Sequence, residues 1–308
     1  MTTALITHAD CLRHVTPEGH PERVARLEHV LHALEPFDLH RVTAHEAARD
    51  AVLRCHPAEY VDAILAREPQ AGHEQIDGDT WMSHGTGRAA LLAAGAAVEA
   101  VDLVLNGQAG NAFAATRPPG HHAETQTPMG FCFFGNVAIA AKHALDAHGL
   151  QRVAIVDFDV HHGNGTQDLL WDEPRTLVVT SQQMPLWPGS GAEAETGADD
   201  NILNVPLPPD SDGAVMRSAY SEKVFERLEA FAPELIIISA GFDAHRDDPL
   251  AQLNWDTEDF AWLTAELCAI AARTCGGRVV SCLEGGYDLT ALAQCAQAHV
   301  EELMKAAK

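Results

Sequence analysis

RVAIVDFDVHHGNG, Arg152–Gly165, is the stretch on which the reading of the fold turns. It opens as a short apolar run rich in Val and Ile, the composition of a β-strand. It then passes directly into acids, histidines and glycines. Runs of the same kind recur along the chain, so that strands are expected at Ala4–Thr7, Asn111–Thr116, Arg152–Asp157, Thr176–Thr180, Glu234–Ala240 and Arg278–Leu283. Within one of them, Leu235–Ile238 is continuously apolar, as in a strand covered on both faces. Helical patterns lie between, at Pro21–Leu34, Gly85–Leu105, Val137–His148, Asp212–Phe231, Thr257–Arg273 and Leu289–Ala306. The first begins with Pro and Glu, good first-turn residues, and the third stops at Gly149. Strands alternating with helices predict an α/β fold with a mainly parallel central sheet. No Gly/Ser-rich linker, repeat or break in composition divides the chain, which predicts a single domain over residues 1–308. The least regular segment, Gln182–Asn201, reads as a long surface loop, and long loops often carry function.

The bulk properties narrow the function classes. The 308 residues are 46% hydrophobic and 21% charged, ordinary for a globular enzyme and too apolar for a disordered chain. With 44 acidic against 20 basic side chains the formal net charge is −24. That excludes a general nucleic-acid binder, which neutralises phosphates with Lys and Arg. It fits either attraction of cationic substrates or solubility alone. No apolar run is long enough to span a membrane, and the start lacks the features of a secretory signal. Seven cysteines without a CxxC pair read as reduced thiols, so a cytoplasmic location is expected. Cys268, Cys275 and Cys282 read as core or surface thiols rather than a metal cluster.

In an open α/β sheet, ligands bind beyond the carboxyl ends of the strands. Four of the expected strands end in chemistry: Arg117–His122, Asp157–Gly165, Gly241–His245 and Glu284–Tyr287. Asp159 and His161 lie two apart, so in an extended segment their side chains share a face. With Asp243 they make a plausible one-nitrogen, two-carboxylate site for Zn²⁺ with a position left for water. Taken singly, each also reads as a buried side chain bonded to backbone. His121 and His122 suit proton transfer near neutral pH, with Asp157 and Asn164 as candidate partners for their second ring nitrogens. Tyr287, after Gly285-Gly286, can be aimed inward as a donor to a developing oxyanion. A surface His pair and a Tyr packed over a turn are the alternatives.

These residues stand in longer motifs: RPPGHH at Arg117–His122, GFCFF at Gly130–Phe134, DFDVHHGNGTQ at Asp157–Gln167, AGFDAHRDDPL at Ala240–Leu250 and LEGGYD at Leu283–Asp288. HPERVARLE at His20–Glu28 and IDGDTW at Ile76–Trp81 accompany them. The set resembles the histone deacetylase and acetylpolyamine amidohydrolase superfamily, in a bacterial, class II-like version with Asn164 where class I enzymes carry Asp. The resemblance runs from about Thr7 to about Glu301. It implies an arginase-like three-layer α/β domain and a zinc-dependent amidohydrolase with one Zn²⁺ per chain. It implies Asp159, His161 and Asp243 as metal ligands, and His121 and His122 as tandem catalytic histidines backed by Asp157 and Asn164. Tyr287 corresponds to the carbonyl-polarising tyrosine. Gly130, Phe131 and Leu250 correspond to tunnel walls, Trp187 replaces a tunnel phenylalanine, and Asp79 falls near a rim carboxylate. A structural K⁺ is implied near Asp157, Asp159, His161 and Thr180. Three positions depart from the family pattern: Gln182 for a His, Met184–Pro188 for a phenylalanine-bearing segment, and Gly135 for Asn. The first two bear on the shape of the cavity mouth, the third on a local turn.

The expected chemistry is hydrolysis of an acyl amide by metal-activated water, with His122 as base and later acid, His121 tuning the electrostatics and Tyr287 stabilising the oxyanion. The expected substrate is a small acylated amine or acetyl-lysine, with Asp79 or Glu124 meeting an ammonium at the rim. Another small amide or acyl conjugate is the alternative. No nucleic-acid or membrane partner is expected, and the sequence leaves open whether the chain forms a homo-oligomer. A two-manganese ureohydrolase is disfavoured because Gly163 stands where a second metal wants a carboxylate. An inactive amide-binding protein is disfavoured because every catalytic position holds a competent residue.

Overall fold

The structure, a computed structural model, describes residues 2–307. In chain order the strands are β1 Thr3–Thr7, β2 His40–Thr43, β3 His73–Gln75, β4 Trp81–Ser83, β5 Asn111–Ala114, β6 Val153–Asp157, β7 Thr176–Gln183, β8 Ile202–Leu207, β9 Leu235–Ala240 and β10 Val279–Leu283. The helices are α1 Val24–Ala33, α2 Arg49–Val52, α3 Ala58–Ala66, α4 Thr86–Leu105, α5 Asn136–Asp146, α6 Asn164–Leu170, α7 Gly213–Ala219, α8 Phe225–Phe231, α9 Thr257–Thr274 and α10 Leu289–Ala306. Eight strands form one sheet in the order β2-β1-β5-β10-β9-β6-β7-β8, and every pairing in it is parallel. β3 and β4 form a separate antiparallel pair.

All residues of β5, β6, β9 and β10 are buried. Successive strand side chains point to opposite faces, so both faces of the sheet centre are covered. α4 packs on α5, and α10 packs on α9 and α1. Register places the carboxyl ends of the four central strands level: Asp157 faces Ser239, Leu283 faces Ala240, and Cys282 faces Ala114. The four segments that carry the chemistry therefore leave neighbouring strands at one edge of the sheet.

Helix starts follow their capping residues. Asp256 and Asp259 form a reciprocal capping box at α9, and Asp288 and Asp212 accept backbone N–H groups at α10 and α7. The helix expected over Asp212–Phe231 is interrupted by a π-helical turn at Tyr220–Val224. The edge strands β2 and β8, the β3–β4 pair, and helices α2, α3 and α6 were not among the expected elements. β8 contains Pro206, which an edge strand tolerates because one side of its ladder is unpaired. The expected loop Gln182–Asn201 starts later: Gln182 and Gln183 are buried residues of β7. All seven cysteines are unpaired and buried, so Cys268, Cys275 and Cys282 are core thiols. Among the described residues no helix is long and apolar enough to cross a membrane.

Candidate active site

Beyond β6 and β9, Asp159, His161 and Asp243 converge. His161 Nδ1 lies 3.2 Å from Asp159 Oδ1 and 3.1 Å from Asp243 Oδ2. Backbone donors hold both carboxylates: Gly285 N–H reaches Asp159 Oδ2 at 2.8 Å and Val160 N–H reaches Asp243 Oδ1 at 2.9 Å. The close approach needs glycine. A Cβ on Gly285 would lie 2.2 Å from Asp243 Oδ2 and 2.5 Å from Asp159 Oδ2, and one on Gly241 would lie 2.0 Å from Asp159 Oδ2.

The spacing is close to that of a small divalent cation's ligands, since two donors about 2.0–2.2 Å from a tetrahedral centre sit about 3.3–3.6 Å apart. One nitrogen and two carboxylate oxygens also match the ligand chemistry of such ions. Charge agrees: burial opposes a charged His161, yet its hydrogen bonds to Asp159 and Asp243 outweigh that and push it up to about 10. A second group, Asp102, His143 and His148, also brings ligand atoms together. Both imidazole Nε2 atoms lie 2.7 Å from Asp102 Oδ1, which is hydrogen-bond length, and all three side chains are partly exposed. It is a hydrogen-bonded cluster between α4 and the end of α5.

The tandem histidines follow β5. Their ring centroids are 3.9 Å apart, and both side chains are buried. His121 Nδ1 lies 3.0 Å from Asp157 Oδ2, and His122 Nδ1 lies 2.8 Å from Asn164 Oδ1. Burial disfavours charge on both, but the two environments drive them apart. The carboxylates of Asp159 and Asp157 overcome burial at His121 and hold it well above the ordinary imidazole range. At His122, burial and then the charge of His121 act together and hold it well below that range. The two imidazoles are thus pushed in opposite directions, His121 toward the charged form and His122 toward the neutral one. Only His122 of the two lines the cavity.

That cavity, about 360 Å³, opens over the Asp–His–Asp group. Its lining includes His122, His161, Tyr287, Gly130, Phe131, Trp187, Leu250 and Asp79. Trp187 is 42% exposed at the mouth, and its ring stands edge-on to His122 at 4.7 Å. Phe131 has φ +68°, an uncommon conformation for a side chain of that bulk, and packs edge-on to Tyr287 at 5.9 Å. Gly130 has φ +55°, and a Cβ there would meet His122 at 2.4 Å. Burial and the charge of Asp77 raise Asp79 above the usual carboxylate range.

Several supporting residues were not recognised from the sequence. Arg26 lies over the Tyr287 ring at 4.8 Å and donates to the carbonyls of Gly286 and Glu284, at 2.6 and 2.5 Å. Asp248 accepts the backbone N–H of Tyr287 at 2.7 Å and of Leu250 at 3.0 Å, and burial pushes it up to about 6. Glu284 accepts the N–H groups of Gly120 and His121 at 2.7 and 3.2 Å. Each acts on backbone atoms, a role that leaves no spacing signature; the one signal for Arg26 was the HPERVARLE motif itself. His20, Trp81 and Leu186 also line the cavity.

Two expectations about the surroundings change. Glu124 is not at the rim; it accepts from Asn164 Nδ2 at 2.8 Å, behind His122. Gln182 is buried and donates to the Gly191 carbonyl at 2.7 Å, so it anchors the loop rather than shaping the mouth directly. At the local turn of Gly135, the N–H donates to His56 Nε2 at 3.0 Å and a Cβ would meet Leu169 at 2.3 Å, so the turn is held tightly.

A parallel sheet whose central strands deliver an Asp–His–Asp group beside a charged and a neutral imidazole is the framework of an amide-bond hydrolase. The comparisons with known proteins agree. The histone deacetylase domain model matches residues 20–303. An uncharacterized protein of Synechocystis, slr0245, is 42% identical over 94% of this chain and 96% of its own length. A histone deacetylase-like amidohydrolase of Pseudomonas aeruginosa is 39% identical over 85% of this chain and 70% of its own. The crystal structure of the HDA15 HD domain superposes with a TM-score of 0.93 at 33% identity, covering 99% of this chain and 88% of that one. The chain belongs to the histone deacetylase family and is a hydrolase of amide bonds. The family is generally metal-dependent, and Asp159, His161 and Asp243 of this chain are close enough together to hold an ion.

Proposed function

We propose that this chain is a zinc-dependent deacetylase of small acetylated amines or acetyl-lysine, working at Asp159, His161 and Asp243. The observation that carries the reading is the ligand spacing of 3.1 and 3.2 Å beneath a cavity that His122 and Tyr287 line. A bound zinc supplies Lewis acidity and lowers the pKa of its water toward ~7.

The side chains supply the rest. His122, kept neutral, accepts a proton from the attacking water at Nε2 and returns it to the departing amine. His121, kept charged against Asp157, stabilises negative charge that builds up as the amide is attacked. Tyr287 donates its hydroxyl to the oxyanion, held in place by Asp248 beneath its backbone and Arg26 over its ring. Gly130, Phe131, Trp187 and Leu250 enclose an alkyl stem, and Asp79 meets polar or cationic groups at the mouth. The reading includes a structural K⁺ near Asp157, Asp159, His161 and Thr180, which predicts that added K⁺ should raise thermal stability more than Na⁺.

The test is release of free amine by zinc-loaded protein from an acetyl-lysine peptide, an acetylated diamine and a neutral acetamide. Turnover of an acetylated amine that is lost on chelation and restored by zinc is expected. No amine release from any acetylated amine, with the ligands loaded, overturns the reading.

A further inference from the structure

We propose that Glu124 is a positioning residue of this centre: acting through Asn164, it decides which ring nitrogen of His122 carries the proton. The inference rests on the reading of His122 as the base.

The contacts form a single line. Glu124 Oε1 accepts from Asn164 Nδ2 at 2.8 Å, and Asn164 Oδ1 faces His122 Nδ1 at 2.8 Å. The Met129 sulfur, a weak acceptor, lies 3.3 Å from the same Nδ2. An amide presents an acceptor on one side and donors on the other. Two acceptors therefore face the donor end of Asn164, and one of them is a carboxylate. Turning the amide over would set its oxygen against that carboxylate and leave both amide hydrogens against His122. With the amide as it stands, His122 Nδ1 must donate, so its proton sits there and Nε2 keeps the lone pair. Turned over, the amide would force Nδ1 to accept and place the proton on Nε2, the nitrogen a base needs free.

Glu124 is itself held in place. Its N–H bonds the Thr127 carbonyl at 3.0 Å, and the N–H and hydroxyl of the next residue, Thr125, donate to Asp168 Oδ2 at 2.7 and 2.6 Å. It does not line the cavity. The two histidines thus differ in how they meet a carboxylate. His121 touches Asp157 directly. His122 meets Glu124 only across a neutral amide, which orients the ring without pairing it to a full negative charge.

The test combines a mutant cycle with a spectroscopic signature, both on the zinc-loaded protein. Glu124→Ala should lower kcat about tenfold, a part of the ~10²–10⁴-fold that general acid–base catalysis supplies, and leave KM and zinc content unchanged. Glu124→Gln, which keeps an acceptor for Asn164, should recover most of the loss. In an Asn164→Ala background, Glu124→Ala should cost nothing further, since residues acting as a unit are not additive. In ¹⁵N-histidine NMR, with the His122 signal assigned from its absence in His122→Ala, the wild type should show the proton on Nδ1, and Glu124→Ala a mixture of the two tautomers. Should Glu124→Ala not fold, Glu124→Gln carries the cycle: its smaller loss must vanish in the Asn164→Ala background. An equal loss in both backgrounds, an unchanged tautomer, or full activity in Glu124→Ala overturns the proposal. If the wild type deacetylates nothing, the functional reading falls, whereas the tautomer measurement still decides the role of Glu124.

Discussion

Gly285→Ala should disable the metal centre without replacing a ligand. The methyl group would lie 2.2 Å from Asp243 Oδ2 and 2.5 Å from Asp159 Oδ2, each about 1 Å inside ordinary carbon–oxygen contact. Neither carboxylate can yield freely, because Asp159 Oδ1 holds His161 N–H at 2.9 Å and Asp243 Oδ1 holds Val160 N–H at 2.9 Å. Metal–ligand distances tolerate about 0.2 Å. A displacement several times larger should cost at least the ~10–100-fold in affinity typical of losing an outer-sphere support. The substitution is backbone-compatible, since the φ of Gly285 is not positive, so damage beyond the centre should be limited to ~1–3 kcal/mol of overpacking. Zinc affinity measured against a chromophoric chelator, with thermal unfolding of the metal-free protein alongside, is the assay. A variant that binds zinc as tightly as wild type and turns over normally would refute the geometry on which the centre is built.

Other outcomes follow from separate parts of the structure. Tyr287→Phe keeps the ring that packs between Arg26 and Phe131 and removes only the hydroxyl, so zinc content should hold while kcat falls ~10²–10³-fold; a loss under about threefold in steady-state assays rules out the oxyanion role. His299 is fully buried between the hydroxyls of Thr264 and Ser281, and burial pulls it down to about 3. The unfolded chain takes up a proton below pH ~6.5 that the folded chain refuses, so this residue makes stability fall by about 1.4 kcal/mol per pH unit from there toward pH 4. Urea unfolding of wild type and His299→Gln at pH 7 and 5 should show a shallower pH dependence in the variant, and equal slopes count against it. The net charge of −24 should favour cationic acetylamines over neutral amides in kcat/KM at low salt, with the preference shrinking as salt is raised; salt-independent preference for neutral amides removes the electrostatic contribution.

How much was legible in the sequence depended on what each residue bonds to. The central strands were legible because β5, β6, β9 and β10 are buried on both faces and so read as unbroken apolar runs. The segments that leave them bring their acids and histidines to one edge, which made the centre visible as a shared position as well as a set of motifs. The edge strands were hidden for the opposite reason: β2 is mostly exposed and β8 is interrupted by Pro206. Side chains that act on side chains left patterns, as Asp159 with His161 did. Those that act on backbone, such as Asp248 beneath Tyr287 and Glu284 beneath His121, left none. Glu124 was misplaced at the rim because its partner, Asn164, lies 40 residues further along and no spacing connects them.

A single catalytic metal per chain is tested by metal stoichiometry coupled to turnover. Metal-free protein titrated with zinc should regain deacetylation of an acetylated amine in proportion to bound metal, saturating at one ion per chain, while Asp243→Ala neither retains zinc nor recovers. Full turnover in protein shown by elemental analysis to hold no metal, or activity that requires two ions per chain, would contradict it.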